Sequence, residues 1–211
     1  MEIDGPLTEW LLEHLERASP ESFQGSARAI SEWVFGRLMG ERELKEVRAL
    51  LDRPALGTPR VSTVLLPGIL GSLLSSVRGI STTLWFNPTL ILDGHLNLLD
   101  LNDEGTDDRS PDVEIQPTGI EKLYYVKLIL ALASATRLYE FPYDWRRHIE
   151  HNAHILHNSL ERWSRQDPER RFVLVGHSMG GLVARTYMAL YPQQAERRIA
   201  RLVLIGSPLW G

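Results

Sequence analysis

Five consecutive residues carry the clearest chemistry in this chain: Gly176-His177-Ser178-Met179-Gly180. Their G-x-S-x-G spacing is that of a nucleophile elbow, in which a strand turns sharply into a helix and the serine takes a strained backbone conformation at the bend. Glycines two positions to either side remove Cβ atoms that would clash there. The serine oxygen then projects beside a helix N-terminus. A serine hydroxyl is a weak nucleophile at neutral pH, so it needs a base for its proton and donors for an oxyanion. One donor is the backbone N–H of Met179, the residue after the nucleophile. The other belongs on a loop after an earlier strand. Pro67-Gly68-Ile69-Leu70-Gly71-Ser72 fits, with the Ile69 N–H facing the oxyanion. The competing reading is an ordinary glycine-rich turn with a surface serine. Context argues for chemistry: the apolar run Phe172 to Val175 leads in, and a helical stripe of Val183, Tyr187 and Leu190 follows.

The acid and base of a triad have no candidate. In this arrangement the acid and then the histidine follow the serine in the chain. The 33 residues after Ser178 hold one acid, Glu196, and no histidine. His177 lies inside the elbow and is expected to point away from the serine. His148, His151, His154 and His157 invite a metal, but Ile149, Ala153, Leu156, Leu160 and Trp163 form one apolar helical stripe and the histidines fan over the opposite face. That reads as a solvated face, with no metal site. Asp100, Asn102, Glu104, Gly105 and Asp108 partly mimic a calcium loop, yet Pro111 stands where the bidentate glutamate belongs. A solvated acidic loop is expected there.

The elements that must position the elbow can be read around it. Val61 to Leu66, Arg137 to Phe141, Phe172 to Val175 and Leu202 to Ile205 are short apolar runs suited to strands buried on both faces. Helical patterns between them point to right-handed βαβ units and an α/β fold with a mostly parallel sheet. Residues 79 to 118 are rich in Asp, Asn, Gly and Pro and read as a long loop. Residues 1 to 52 read as a helical segment, with stripes at Leu7, Leu11, Leu15 and Ala18, at Phe23, Ala27, Ile30 and Val34, and at Leu44, Val47 and Leu51. Residues 53 to 60 read as a linker, and 61 to 211 as a partial catalytic domain.

Composition narrows the class. The chain has 211 residues, a formal net charge of −4, 43% hydrophobic residues and 24% charged residues, which describes a globular protein and excludes a collagen-like or low-complexity chain. It has no Cys, so disulfides and thiolate metal sites are impossible. Mild acidity gives no electrostatic footprint for nucleic acid. The uncharged run Val61 to Val77 is short for a bilayer and is interrupted by Pro67, Gly68 and Gly71, so no transmembrane segment is expected. The acidic N-terminus does not resemble a signal peptide, and a cytoplasmic protein is expected on that ground.

Taken together, five segments resemble the lecithin–cholesterol acyltransferase family of α/β-hydrolases, in particular its bacterial lipase- or esterase-like members. They are Leu66 to Ser72, Leu84-Trp85-Phe86-Asn87-Pro88, Phe141-Pro142-Tyr143-Asp144-Trp145-Arg146, Val175 to Gly181, and Ile205 to Gly211. The Tyr-Asp-Trp-Arg segment is more specific to this family than the elbow is. The resemblance implies acyl-ester chemistry on lipid-like substrates through an acyl-enzyme at Ser178, with water or an alcohol as acceptor and no cofactor. It implies contact with a lipid interface, and a lid or acyl track near Trp85, with Leu70, Trp85 and His177 as substrate-binding residues. Core packing is the competing reading for Trp85, Phe86 and Trp145. Asp144 and Arg146 are expected to fix the turn after their strand. The family's acid and histidine lie beyond Gly211, which leaves a truncated chain, a partner supplying the rest, or a decayed enzyme. The alternative function is a non-catalytic binding or scaffold protein whose helical first segment recruits a partner.

Overall fold

The computed structural model describes residues 39–53, 61–78, 82–85, 92 and 94–210. The first two helical stripes, nearly all of the linker, and Phe86-Asn87-Pro88 lie outside the described residues. The chain divides into two compact units, Met1–Thr63 with Lys122–Tyr139, and Val64–Glu121 with Glu140–Gly211.

In the first unit, helix α1 (Glu41–Leu51) forms where the third stripe was expected and buries Val47 and Leu51. Glu41 and Glu43 sit in its first turn and Arg48 in its last, the placement that complements the helix dipole. It packs on α2 (Lys122–Ala135), which buries Tyr125, Val126, Ile129 and Leu130. Lys127 Nζ meets Glu46 Oε2 at 3.0 Å between the two helices. Helix α2 is apolar on nearly every side, so it shows no single stripe in the sequence.

The main sheet contains β1 (Val61–Leu66), β5 (Arg137–Glu140), β6 (Arg171–His177) and β7 (Ile199–Ile205), in the order β5-β1-β6-β7. It is mostly parallel, as expected. Strands β6 and β7 run parallel, with Gly176 beside Leu204 and His177 beside Ile205. The apolar runs buried on both faces are seen in β1, where Ser62 through Leu66 are all buried. β7 differs. It is an edge among the described strands, and Val203 and Ile205 are exposed at 36% and 38%. In the second unit, α3 (Ile149–Trp163) turns Ala153, Leu156 and Leu160 inward, as its stripe predicts. Helix α4 (Met179–Leu190) follows the elbow and packs on α3, and α5 (Pro192–Arg198) leads into β7.

The expected long loop over 79–118 contains more order than its composition predicts. β2 (Ser72–Ser76) is central to a second, antiparallel sheet, flanked by β3 (Thr82–Trp85) and β4 (Ile115–Ile120). A 3-10 turn spans His95–Leu99. The strands escape sequence reading because β2 is rich in Ser and β4 contains Pro117 and Gly119, all weak strand formers. Pairing supplies what propensity lacks. Leu74, Leu84 and Ile115 form a core, covered by Trp85, Leu98, Leu99, Val113 and Trp145. The run Val61 to Val77, rejected as a membrane span, is β1, a turn and β2. No helix among the described residues is long and apolar enough to cross a membrane.

Candidate active site

Ser178 stands between the last residue of β6 and the first of α4, with φ 48° and ψ −120°. Positive φ is uncommon for a residue with a side chain and marks stored strain when the surroundings hold it. Here they do. The Ser178 N–H donates to the Ile205 carbonyl at 2.8 Å, and the Gly181 N–H donates to the Ser178 carbonyl at 3.0 Å.

The glycines around Ser178 clear space for backbone. A Cβ on Gly176 would lie 2.6 Å from the Gly181 Cα, and one on Gly180 would overlap the Leu66 and Pro67 carbonyls. Helix α4 therefore crosses the end of β1 at backbone contact. A Cβ on Gly181 would overlap the Ser207 side chain and lie 2.7 Å from Leu204 Cδ2, so the same helix also sits tight on the end of β7.

That close crossing brings the loop after β1 to the serine. A Cβ on Gly68 would lie 3.2 Å from Ser178 Cβ and 3.0 Å from His177 Nδ1. Gly68 to Gly71 form a turn closed by the Gly71 N–H donating to the Gly68 carbonyl at 3.1 Å, and Leu70 takes φ 63° within it. The side chains of Ile69 and Leu70 face solvent, 58% and 43% exposed. Most carbonyls of this segment are taken: Pro67 accepts from the Tyr143 hydroxyl at 2.8 Å, Leu70 from the Trp85 indole at 2.9 Å, Gly71 from the Glu121 N–H at 3.0 Å, and Ser72 from the Trp145 indole at 3.2 Å. The Tyr143 N–H also donates to Ser72 Oγ at 3.0 Å. Among the described residues the Ile69 N–H has no partner. Met179 opens α4, where the first amides of a helix have no internal acceptor.

The turn that holds Ile69 and Leu70 thus lies, at Gly68, against Ser178 and His177, and Trp85 joins that turn through the Leu70 carbonyl. The His177 ring rests against Gly68, and Ser178 Oγ has no hydrogen-bond partner among the described residues. Sequence reading gave Tyr143 and Trp145 no role in this arrangement, although both lie in the quoted segment after β5. The available signal was two aromatic hydrogen-bond donors directly after a strand end.

Residues 113–211 match the profile of the lecithin:cholesterol acyltransferase family. Lecithin-cholesterol acyltransferase-like 4 of Arabidopsis thaliana is 24% identical over 216 residues, covering 82% of this chain and 40% of that protein. That family is what this chain resembles. It spans about two fifths of the length of this curated relative. No solved structure matches it.

Asp144 and Arg146, within the region that matches the lecithin:cholesterol acyltransferase family, anchor an ion-pair network that reaches back to Leu99 and Asp108. Arg146 donates from Nε to Asp144 Oδ1 at 2.9 Å, from Nη2 to Asp144 Oδ2 at 2.7 Å and to Asp108 Oδ1 at 2.9 Å, and from Nη1 to the Leu99 carbonyl at 3.0 Å. Its side chain is 5% exposed. Burial works against its charge, but Asp144 and then Asp108 outweigh this and hold its pKa above the usual value. Asp144 and Arg146 do fix the turn after β5, as expected. Asp108 corrects the sequence reading: it turns inward to Arg146 and also accepts from the Ile115 N–H at 2.8 Å. The rest of that loop is held within itself by Asn102 Oδ1, which accepts from the Thr106 and Asp107 amides, and by Asp103 paired with Arg109, and from outside by Arg147, which donates to the Thr106 carbonyl.

The histidines of α3 are a second correction. His151 is exposed, and burial and then Arg147 push its pKa down. His157, however, stacks on Tyr191 with ring centroids 3.9 Å apart, and His154 Nδ1 lies 2.6 Å from the Tyr191 hydroxyl. His157 is therefore partly buried against Tyr191 at the end of α4, while His148, His151 and His154 are exposed, as expected. No group of three or more ligands suited to a metal occurs among the described residues. A cleft of about 780 Å³ opens elsewhere, bordered by Asp107, Asp144, Arg147, His151 and Trp163, and does not include Ser178.

Proposed function

We propose that the chain carries the nucleophile and oxyanion site of a serine acyl-ester hydrolase or O-acyltransferase for lipid-like esters. The observation that supports it most is Ser178 at positive φ on a helix N-terminus, with the Ile69 turn against it. The resemblance to the family suggests the substrate class. In the reaction, Ser178 Oγ attacks the ester carbonyl carbon as its proton passes to a base. The carbonyl oxygen becomes an oxyanion that accepts from the Ile69 and Met179 N–H groups. The ester C–O bond breaks, the alcohol leaves with a proton, and an acyl-enzyme remains. Water or a second alcohol then attacks the acyl carbon and releases an acid or a new ester. The exposed Ile69 and Leu70 side chains beside the serine fit an apolar acyl chain and contact with a lipid interface.

The test is covalent labelling. The purified chain is treated with an alkyl fluorophosphonate, with and without added imidazole as base, and the adduct is mapped by peptide mass spectrometry. A single adduct on Ser178, absent from Ser178→Ala, is expected. No adduct under either condition, or equal labelling of Ser178→Ala, overturns the proposal.

A further inference from the structure

Leu70 holds a conformation that its side chain disfavours. The turn Gly68-Ile69-Leu70-Gly71 has its closing bond from Gly71 N–H to the Gly68 carbonyl and positive φ at its third residue. That is the pattern of a type II turn, which calls for glycine where this chain has leucine. Something outside the turn must hold it. The Leu70 carbonyl accepts from the Trp85 indole at 2.9 Å, across 15 residues of chain. The indole is itself fixed, edge-on to Trp145 at 5.7 Å between centroids, and Trp145 donates to the Ser72 carbonyl just past the turn. Two tryptophans from separate segments thus grip the turn by its carbonyls, and the Ile69 N–H is left without a partner among the described residues.

We infer that Trp85 is a positioning residue: its indole N–H holds Leu70 in the left-handed region and so keeps the Ile69 N–H presented toward Ser178. This rests on the Ser178 reading above and adds to it. Trp85 acts through the turn and touches neither the serine nor the ester. The exposed leucine then remains at the turn because the indole, not a glycine, sets the backbone.

Trp85→Phe tests this in the full chain, since it keeps an aromatic ring against Trp145 while removing the indole donor. Amide hydrogen exchange is read at Gly71, and the fluorophosphonate reaction is split into a maximal rate and a half-saturating concentration. The expected result is exchange at Gly71 faster by roughly five- to tenfold, the worth of one hydrogen bond. The maximal rate falls by a similar factor and the half-saturating concentration stays put. Trp85→Phe combined with Leu70→Gly brings Gly71 exchange back toward the wild type, because glycine adopts positive φ unaided. Unchanged exchange in Trp85→Phe overturns the clamp. Faster exchange with an unchanged maximal rate overturns the positioning role and leaves a merely structural one. A wild-type chain that forms no adduct overturns the Ser178 reading, and the role of Trp85 falls with it. The exchange data separate that result from failure of the clamp.

Discussion

Two strand ends meet the same problem in opposite ways. At the end of β6 the chain turns into α4 with side chains removed: Gly176, Gly180 and Gly181 let backbone touch backbone, and Ser178 is left strained and open. After β5 the chain turns through Tyr143 to Arg147 with side chains added, and a buried guanidinium joins two carboxylates and a carbonyl. One turn is made by absence, the other by charge. The first resists any added atom, whereas the second resists the loss of any partner. A site that stores strain at one end needs a rigid neighbour, and the Arg146 network lies in the same segment as Tyr143 and Trp145, which fasten the Gly68–Gly71 turn.

The charged turn is where a single change has the largest expected effect. Arg146→Met leaves Asp108 buried without its cation and Asp144 with Arg147 alone, and breaking a buried pair this way destabilises by about 3–5 kcal/mol. Urea unfolding of the variant against the wild type measures it. Replacing all three groups together with apolar residues is expected to lose far less, because no orphaned charge remains. A triple variant as unstable as Arg146→Met would show that the network does more than satisfy its own charges.

The same contrast explains what could be read beforehand. The elbow was legible because its geometry depends on residues within five positions, and glycine spacing states which atoms must be missing. The strands β1, β5, β6 and β7 were legible as apolar runs. The Arg146 network was not, because Asp108 lies 38 residues away in a stretch whose composition resembles a solvated loop. The sheet of β2, β3 and β4 was hidden for a related reason: Ser75 hydrogen-bonds to Thr83 and Thr118 across strands, so polar residues do inside a sheet what hydrophobic pattern usually signals. His157 was misplaced because helix periodicity identifies the core-facing side but not which neighbour covers the flank.

The elbow is the place for the second effect. Gly180→Ala adds a Cβ against the Leu66 and Pro67 backbone carbonyls, which cannot rotate away, and is expected to destabilise by about 3 kcal/mol. Gly68→Ala is the control. Its Cβ meets His177 and Ser178 side-chain atoms at 3.0–3.3 Å, which can yield by small shifts. It is expected to lose about 1 kcal/mol or less in stability while still slowing Ser178 labelling, since it pushes on the site itself. Equal stability losses for the two would undo the distinction between backbone and side-chain contact.

Between the two turns, Tyr143→Phe isolates one connection. The hydroxyl donates to the Pro67 carbonyl in a buried position, so its removal leaves that carbonyl unsatisfied at about 1–3 kcal/mol. Faster hydrogen exchange at the Gly71 amide is expected to accompany the loss, because the same loop is held from Pro67 to Ser72. Loss of stability with no change in exchange would separate the Tyr143 anchor from the turn.

An ion pair whose carboxylate reaches solvent gives the scale against which the buried one is judged. Glu161 receives Arg198 Nε and Nη2 at 3.2 Å each, and its own side chain is 36% exposed. The hydrogen bond from Arg198 lowers its pKa from the ordinary 4.5, burial raises it less, and the charge of Arg198 lowers it further. A carboxylate with a depressed folded pKa contributes its stability above the unfolded value and loses it as pH falls through the folded one. The stability difference between the wild type and Glu161→Gln is therefore expected to be constant above about pH 5 and to fade away as pH falls through the depressed folded value. Solvent screening keeps that difference to about 0.5 kcal/mol or less, and added salt shrinks it further. Denaturant titrations across this pH range check both statements. A difference that survives at low pH would mean that Glu161 acts through packing with Arg198 and not through its charge, and the contrast with Arg146 would then be one of geometry alone.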